Sequence, residues 1–125
     1  MENIQTLKTI GIGTKESTKL KPTKVKIETV EVRTVGEKGS NKVVCNVKHP
    51  DNEDTIEISS VSYRKGNKIE NSGLWINLDY ENLLRKGSAL ATLLVHLSCA
   101  NIEALQGREC QTEEDEKGYL TLKCY

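Results

Sequence analysis

The sequence predicts a mainly β domain: a small curled barrel with one or two helices. Three observations predict it. In "KVKIETVEVRTV", residues 24–35, the apolar alternation slips, with Val25 and Ile27 on odd positions and Val30 and Val32 on even ones. The same slip recurs in "TIEISSVSY", residues 55–63, between Ile56 and Ile58 on one side and Val61 and Tyr63 on the other. The third observation is one clear helical stripe set between runs of strands. A one-residue slip reverses every facing in a strand, so an inserted residue is needed to keep the core side apolar. Two such slips describe strands that curl, as a closing sheet requires.

The elements follow in order. Residues 1–22 carry lysines, Thr, Ser and a short "GIG" at 11–13, and Pro22 marks their end; they read as a basic, partly flexible arm. That "GIG" has no preceding strand, no third Gly and no following amphipathic helix, so it is not a dinucleotide fingerprint. Residues 23–125 form the domain. Strand one covers 24–35, with Thr29 the natural place for a bulge. "GEKGSN" turns the chain into strand two, where Val43, Cys45 and Val47 share a face. "HPDNED" breaks that strand with Pro and Asx residues. Strand three runs over 55–63. "IENSGLWINLDY" then reads as a hairpin or short strand around Trp75 to Leu78.

Next, Leu90, Leu93, Leu94 and Leu97 recur at i, i+3, i+4 and i+7, one apolar stripe of a helix. Ser88 is its N-cap. A second helical turn starts at Asn101 and stops before Gly107, which suits a left-handed C-terminal cap. "RECQTE" and "YLTLKCY" are the last two strands, joined by an acidic turn ending in Gly118. In the final strand Leu120, Leu122 and Cys124 face one way, and Tyr119, Thr121, Lys123 and Tyr125 the other.

Composition limits what the domain can do. The chain has 125 residues, 18 basic and 18 acidic side chains, one Trp, four Tyr and no Phe. Its core must therefore be built from Val, Ile and Leu. The charge is unevenly spread: residues 1–48 hold ten Lys or Arg against five Glu, and residues 101–125 three against six acids. The neutral total does not describe a strongly basic nucleic-acid binder. No apolar run is long enough to span a membrane, and the first residues lack the apolar region of a signal peptide. A cytoplasmic location is expected. The four cysteines, Cys45, Cys99, Cys110 and Cys124, form no CxxC pair, so no structural zinc site is expected and buried free thiols are.

The order strand, strand, strand, helix, strand, strand, with the first strand bent in its middle, resembles the oligonucleotide/oligosaccharide-binding (OB) fold. The resemblance implies a five-stranded barrel with its helix between strands three and four. It also implies that strand one serves both halves of the sheet, its inward face changing at the corner. The ending "KGSALATLLVHLSCANIEALQGRECQTEEDEKGYLTLKCY" reads as a helix, then "LxGRE", then a strand pair closed by "GYL". In this it is similar to small phage and archaeal proteins thought to bind single-stranded DNA.

Candidate chemistry is weighed against plain structure. His49 lies in the Asx-rich turn and His96 lies off the leucine stripe; neither sits beside a nucleophile in a known pattern. The "EEDE" run at 113–116 lacks the spacing of a calcium loop. A metal-dependent hydrolase is therefore the least supported class, and no catalytic residue, metal or cofactor is expected. Non-enzymatic single-strand binding needs aromatic platforms and basic residues along the phosphates. The resemblance places the groove on strands two and three and their loops. There Tyr63, Arg64, Lys65 and Lys68 stand together in sequence, Lys38, Lys42 and Lys48 border them, and Trp75 is a candidate stacking ring. Lys8, Lys15, Lys19 and Lys21 of the arm offer a second phosphate contact. The expected function is single-stranded nucleic-acid binding of a phage, viral or archaeal replication or repair kind. The alternative is a protein-interaction or assembly module on the same barrel, joined to a partner or a second copy through sheet edges and the arm.

Overall fold

A computed structural model describes residues 20–125. Of the predicted arm only Leu20, Lys21 and Pro22 are described; Lys8, Lys15, Lys19 and the "GIG" lie outside the described residues. The fold is mainly β. Among the described residues, eight strands form two four-stranded sheets: β1 Val25–Val35, β2 Ser40–Lys48, β3 Ile56–Ile58, β4 Ser60–Lys65, β5 Lys68–Gly73, β6 Glu109–Cys110, β7 Thr112–Glu114 and β8 Leu120–Cys124. The first sheet is ordered β3-β2-β1-β6, the second β5-β4-β8-β7. Among the described residues there is one α-helix, α1, Ala89–His96, and one 3-10 turn, Glu103–Leu105.

The expected five-stranded barrel with a helix between strands three and four is corrected by these elements. Strand three is two strands, β3 and β4, parted by Ser59. Its carbonyl leaves the ladder and accepts the Leu74 N–H at 2.9 Å. The fourth predicted strand is likewise two, β6 and β7, parted by Gln111. The extra hairpin strand β5 precedes the helix, so α1 lies between β5 and β6. β5 also starts earlier than the expected Trp75–Leu78 segment, in which Trp75 makes only an isolated bridge to Lys42.

The slip in strand one is a bulge, as expected. The register shifts between Ile27 and Thr29, which makes Glu28 the extra residue. Its consequence differs from the expectation. Ile27 pairs with Val47, Val30 with Cys45 and Val32 with Val43, and all three partners are buried. The bulge therefore keeps Ile27, Val30 and Val32 on one face of β1 instead of changing it, although burial fades along that face: Ile27 is buried, Val30 half-buried and Val32 exposed. β1 stays in the first sheet. The β3–β4 and β6–β7 lines are the ones that cross between sheets, and the second slip, at Ser59, marks one crossing. The pairings form a circuit: β1 to β2 to β3, through Ser59 to β4, β8 and β7, through Gln111 to β6, and back to β1. All are antiparallel except β4 with β8.

The core inside this circuit is aliphatic. It contains Val25, Ile27, Val43, Val47, Ile58, Val61, Leu74, Leu105 and Leu122, closed by Leu90, Leu93 and Leu94 of α1. Ser88 caps α1, its Oγ accepting the Ala91 N–H at 3.2 Å. Gly107, at φ +87°, follows the 3-10 turn as the sequence expects. His49 is fully buried. Its Nδ1 accepts the Asp51 N–H at 3.0 Å, so its Nε2–H donates to the Lys21 carbonyl at 2.8 Å. Nδ1 thus holds the β2–β3 loop together, and Nε2 ties that loop to the chain before β1. Cys45, Cys110 and Cys124 are buried free thiols, and Cys99 is half-buried.

Candidate nucleic-acid interface

The eight residues singled out in the sequence do not form one cluster. In β4, alternation sends Val61, Tyr63 and Lys65 to the core side and Ser62 and Arg64 to the other. Tyr63 packs partly against the core and its hydroxyl donates to Glu70 at 3.3 Å. Lys65 and Lys68 face each other at the exposed end of the β4–β5 hairpin. Lys38 is exposed in the β1–β2 turn. Lys48 is turned away, its ammonium donating to the Asn52 carbonyl at the far end of β2.

Lys42, Trp75 and Arg64 do share a continuous outer face. Lys42 Nζ lies 5.0 Å from the centroid of the half-buried Trp75 ring. Trp75 packs over Gly73, where an added Cβ would lie 2.7 Å from the indole nitrogen and 2.9 Å from Lys42 Cε. A larger residue here would push the Trp75 ring and the end of the Lys42 side chain aside. From Gly73 the same face of β5 runs through Asn71 to Ile69, opposite Ser62 and Arg64 of β4. Next to β4 lies β8, whose outward residues are Thr121, Lys123 and Tyr125. Arg64 lies 6.0 Å and Lys123 4.8 Å from the Tyr125 ring centroid. The strip thus carries two aromatic rings, each beside at least one cation. Gly73 lies four residue steps from Ile69, which spans about 13 Å at the strand rise.

Between the rings the strip is polar and tightly bonded. Ser62 and Thr121 point outward but are fully buried. Their hydroxyls lie 2.5 Å apart, and the Ser62 Oγ–H donates to Asn71 Oδ1 at 2.5 Å. The Tyr125 hydroxyl donates to a Glu113 carboxylate oxygen, and that bond holds its pKa above the usual tyrosine value. The acidic turn borders the strip, where Asp115, Glu116, Lys117 and Asn71 line a cavity of about 210 Å³. Beside Lys42 on the outer face of the first sheet, the neighbouring charges Arg33, Glu31 and Glu57 pair with one another. Arg33 donates to both Glu57 oxygens, at 2.9 and 2.6 Å, and to Glu31 at 3.1 Å. Asn46 donates to Glu31 at 2.9 Å. Asn46 and Arg33 lower the Glu31 pKa, Arg33 lowers that of Glu57, and the Arg33 pKa is raised in return. An arginine so occupied offers little to a phosphate.

Sequence reasoning missed Lys123, Tyr125 and Gly73. The alternation in "YLTLKCY" already placed Lys123 and Tyr125 on one non-core face. Their meeting with Arg64 depends on the parallel β4–β8 pair, which no local pattern encodes. Among the described residues no group of three or more His, Cys, Asp or Glu is placed to hold a metal ion. No helix among them is long and apolar enough to cross a membrane. No family model matches this chain, and no curated protein or solved structure matches it.

Proposed function

We propose that this chain is a non-enzymatic single-stranded nucleic-acid-binding protein, of the kind used in phage, viral or archaeal replication and repair. One observation carries the reading: Trp75 with Lys42, and Tyr125 with Arg64 and Lys123, stand on one outer face. Stacking rings flanked by cations are what sequence-tolerant single-strand binding requires. The circuit of strand pairings supports the OB resemblance. With β3–β4 and β6–β7 counted as continuous lines and β5 set aside, the order is first, second, third, fifth, fourth and back to first. A five-stranded Greek-key barrel of that class has its ligand face on strands two and three. The strip starts at β2 and crosses β4, within that region, and then runs on to β8, the fifth line.

The test is the binding of a fluorescently labelled single-stranded oligonucleotide at several salt concentrations. Affinity is expected to fall as salt rises, because bound cations release counterions from the phosphates. Arg64→Ala and Lys123→Ala are each expected to flatten the log–log salt slope by about 0.7. Unchanged slopes in both variants would remove this face from the proposal.

A second reading is favoured by a different feature. An apolar groove of about 440 Å³ lies between α1 and the loop before it, lined by Leu78, Leu83, Leu94, Val95 and Ile102. Leu83 and Val95 are well exposed there. Exposed apolar surface of this kind suits protein contact, so an assembly module is the alternative. A salt-resistant oligomer that ignores oligonucleotides would favour it.

A further inference from the structure

Cys110 ends β6 and Cys124 ends β8, and the β7–β8 register, continued two steps beyond its last pair, brings them opposite each other. Thr112 pairs with Leu122 and Glu114 with Leu120. One step along the same register, the Lys123 N–H donates to the Gln111 carbonyl at 2.7 Å. The next step faces Cys110 with Cys124. The Gln111–Lys123 pair is the hydrogen-bonded kind, so the cysteines occupy a non-hydrogen-bonded pair. Such pairs hold their Cα atoms about 4.5 Å apart and their side chains closest. A disulfide takes Cα separations of about 4.4–6.8 Å. Both thiols face the core, at 3% and 5% exposure. Cys110 Sγ also lies 3.6 Å from the carbonyl oxygen of Lys123, the residue just before Cys124.

We propose that Cys110 and Cys124 are a latent disulfide pair, closed when the chain folds in the presence of a small-molecule disulfide and left open when it folds under reducing conditions. One cysteine thiolate attacks a sulfur of the reagent, forming a mixed disulfide and releasing one thiolate of the reagent. The second cysteine thiolate then attacks the protein-bound sulfur and releases the other. The two protein thiols lose two electrons and two protons, and the reagent disulfide gains both as two thiols. Only thiolates carry out this exchange. In the fold, burial pushes Cys110 up to about 12 and Cys124 to about 11, so few thiolates exist there. Closure therefore belongs to folding, when the thiols are still in water. Cys45 is the competitor: burial first, and then the charge of Cys110 across the core, raise it to about 12. It sits on β2, separated from β6 by β1. Two strand spacings are about 9.6 Å, too wide for a disulfide.

The experiment refolds the reduced, denatured full-length chain with glutathione disulfide and glutathione, quenches the exchange with acid, then alkylates free thiols in denaturant and maps peptides by mass spectrometry. The expected main product links Cys110 to Cys124, with Cys45 and Cys99 alkylated. Its denaturation midpoint lies above that of the reduced chain and returns with reductant. The same reagent added to already folded, reduced protein for the same time is expected to leave four alkylated cysteines. Cys45→Ser should keep the linked peptide and Cys124→Ser should lose it; mapping of the unmodified sequence decides the matter if Cys124→Ser does not fold. A link through Cys45 or Cys99, glutathione adducts alone, or no link would overturn the pairing. Equal oxidation of the folded protein would overturn the folding route.

Discussion

Leu93→Ala is expected to cost about 2–5 kcal/mol of unfolding free energy. Leu93 is fully buried and sits in the middle of the α1 stripe, between Leu90 and Leu94. The helix packs against β4 and β8, the strands at the parallel junction of the second sheet. A cavity there loses contacts on both strands at once, and no Tyr or Trp lies in the fully buried set to shift into it. Domains of this kind hold only about 5–15 kcal/mol in total, so the loss is a large share. Urea unfolding should show a lower midpoint with an unchanged slope. Val95→Ala, on the exposed side of the same helix, should change stability by no more than about 0.5 kcal/mol. Similar losses in the two variants would mean that α1 does not close the core.

The second large effect concerns the outer strip. Trp75→Ala together with Tyr125→Ala is expected to weaken single-strand binding by about 2–6 kcal/mol, at about 1–3 kcal/mol for each base stacked. That is roughly thirtyfold to ten-thousandfold in Kd. Neither ring is in the core cluster. Trp75 does cover Gly73, so unfolding is measured beside binding to separate the two effects. Anisotropy with a labelled oligonucleotide supplies the affinity. A double variant that folds and still binds within twofold would place the ligand elsewhere.

Much of the fold was legible in the chain, for physical reasons that differ by element. The helix was readable because leucines at helical spacing and a capping serine encode it locally, and it appears as Ala89–His96 with Ser88 bonded to its first turn. The bulge was readable because a parity slip has few other causes, although the inserted residue is Glu28 and not Thr29. What the bulge does was not readable. Whether a slip changes the inward face or preserves it depends on the partner strand, and here Val47, Cys45 and Val43 decide. The break at Ser59 depends on Leu74, fifteen residues later, which takes its carbonyl. The site was legible only in part for the same reason. "YRKGNK" looks continuous in sequence, but alternation sends Arg64 and Tyr63 to opposite faces. Tyr125 joins Arg64 only through the parallel β4–β8 pair.

Trp75 is the sole tryptophan, so its emission reports a single place on the strip. Titrating the protein with an unstructured single-stranded oligonucleotide, from low to high ionic strength, is the most direct measurement of whether that strip is a ligand face. The expected result is saturable quenching at low salt, with a midpoint that moves to higher oligonucleotide concentration as salt increases. Emission that stays unchanged at the lowest salt, with oligonucleotide in large excess, would contradict it.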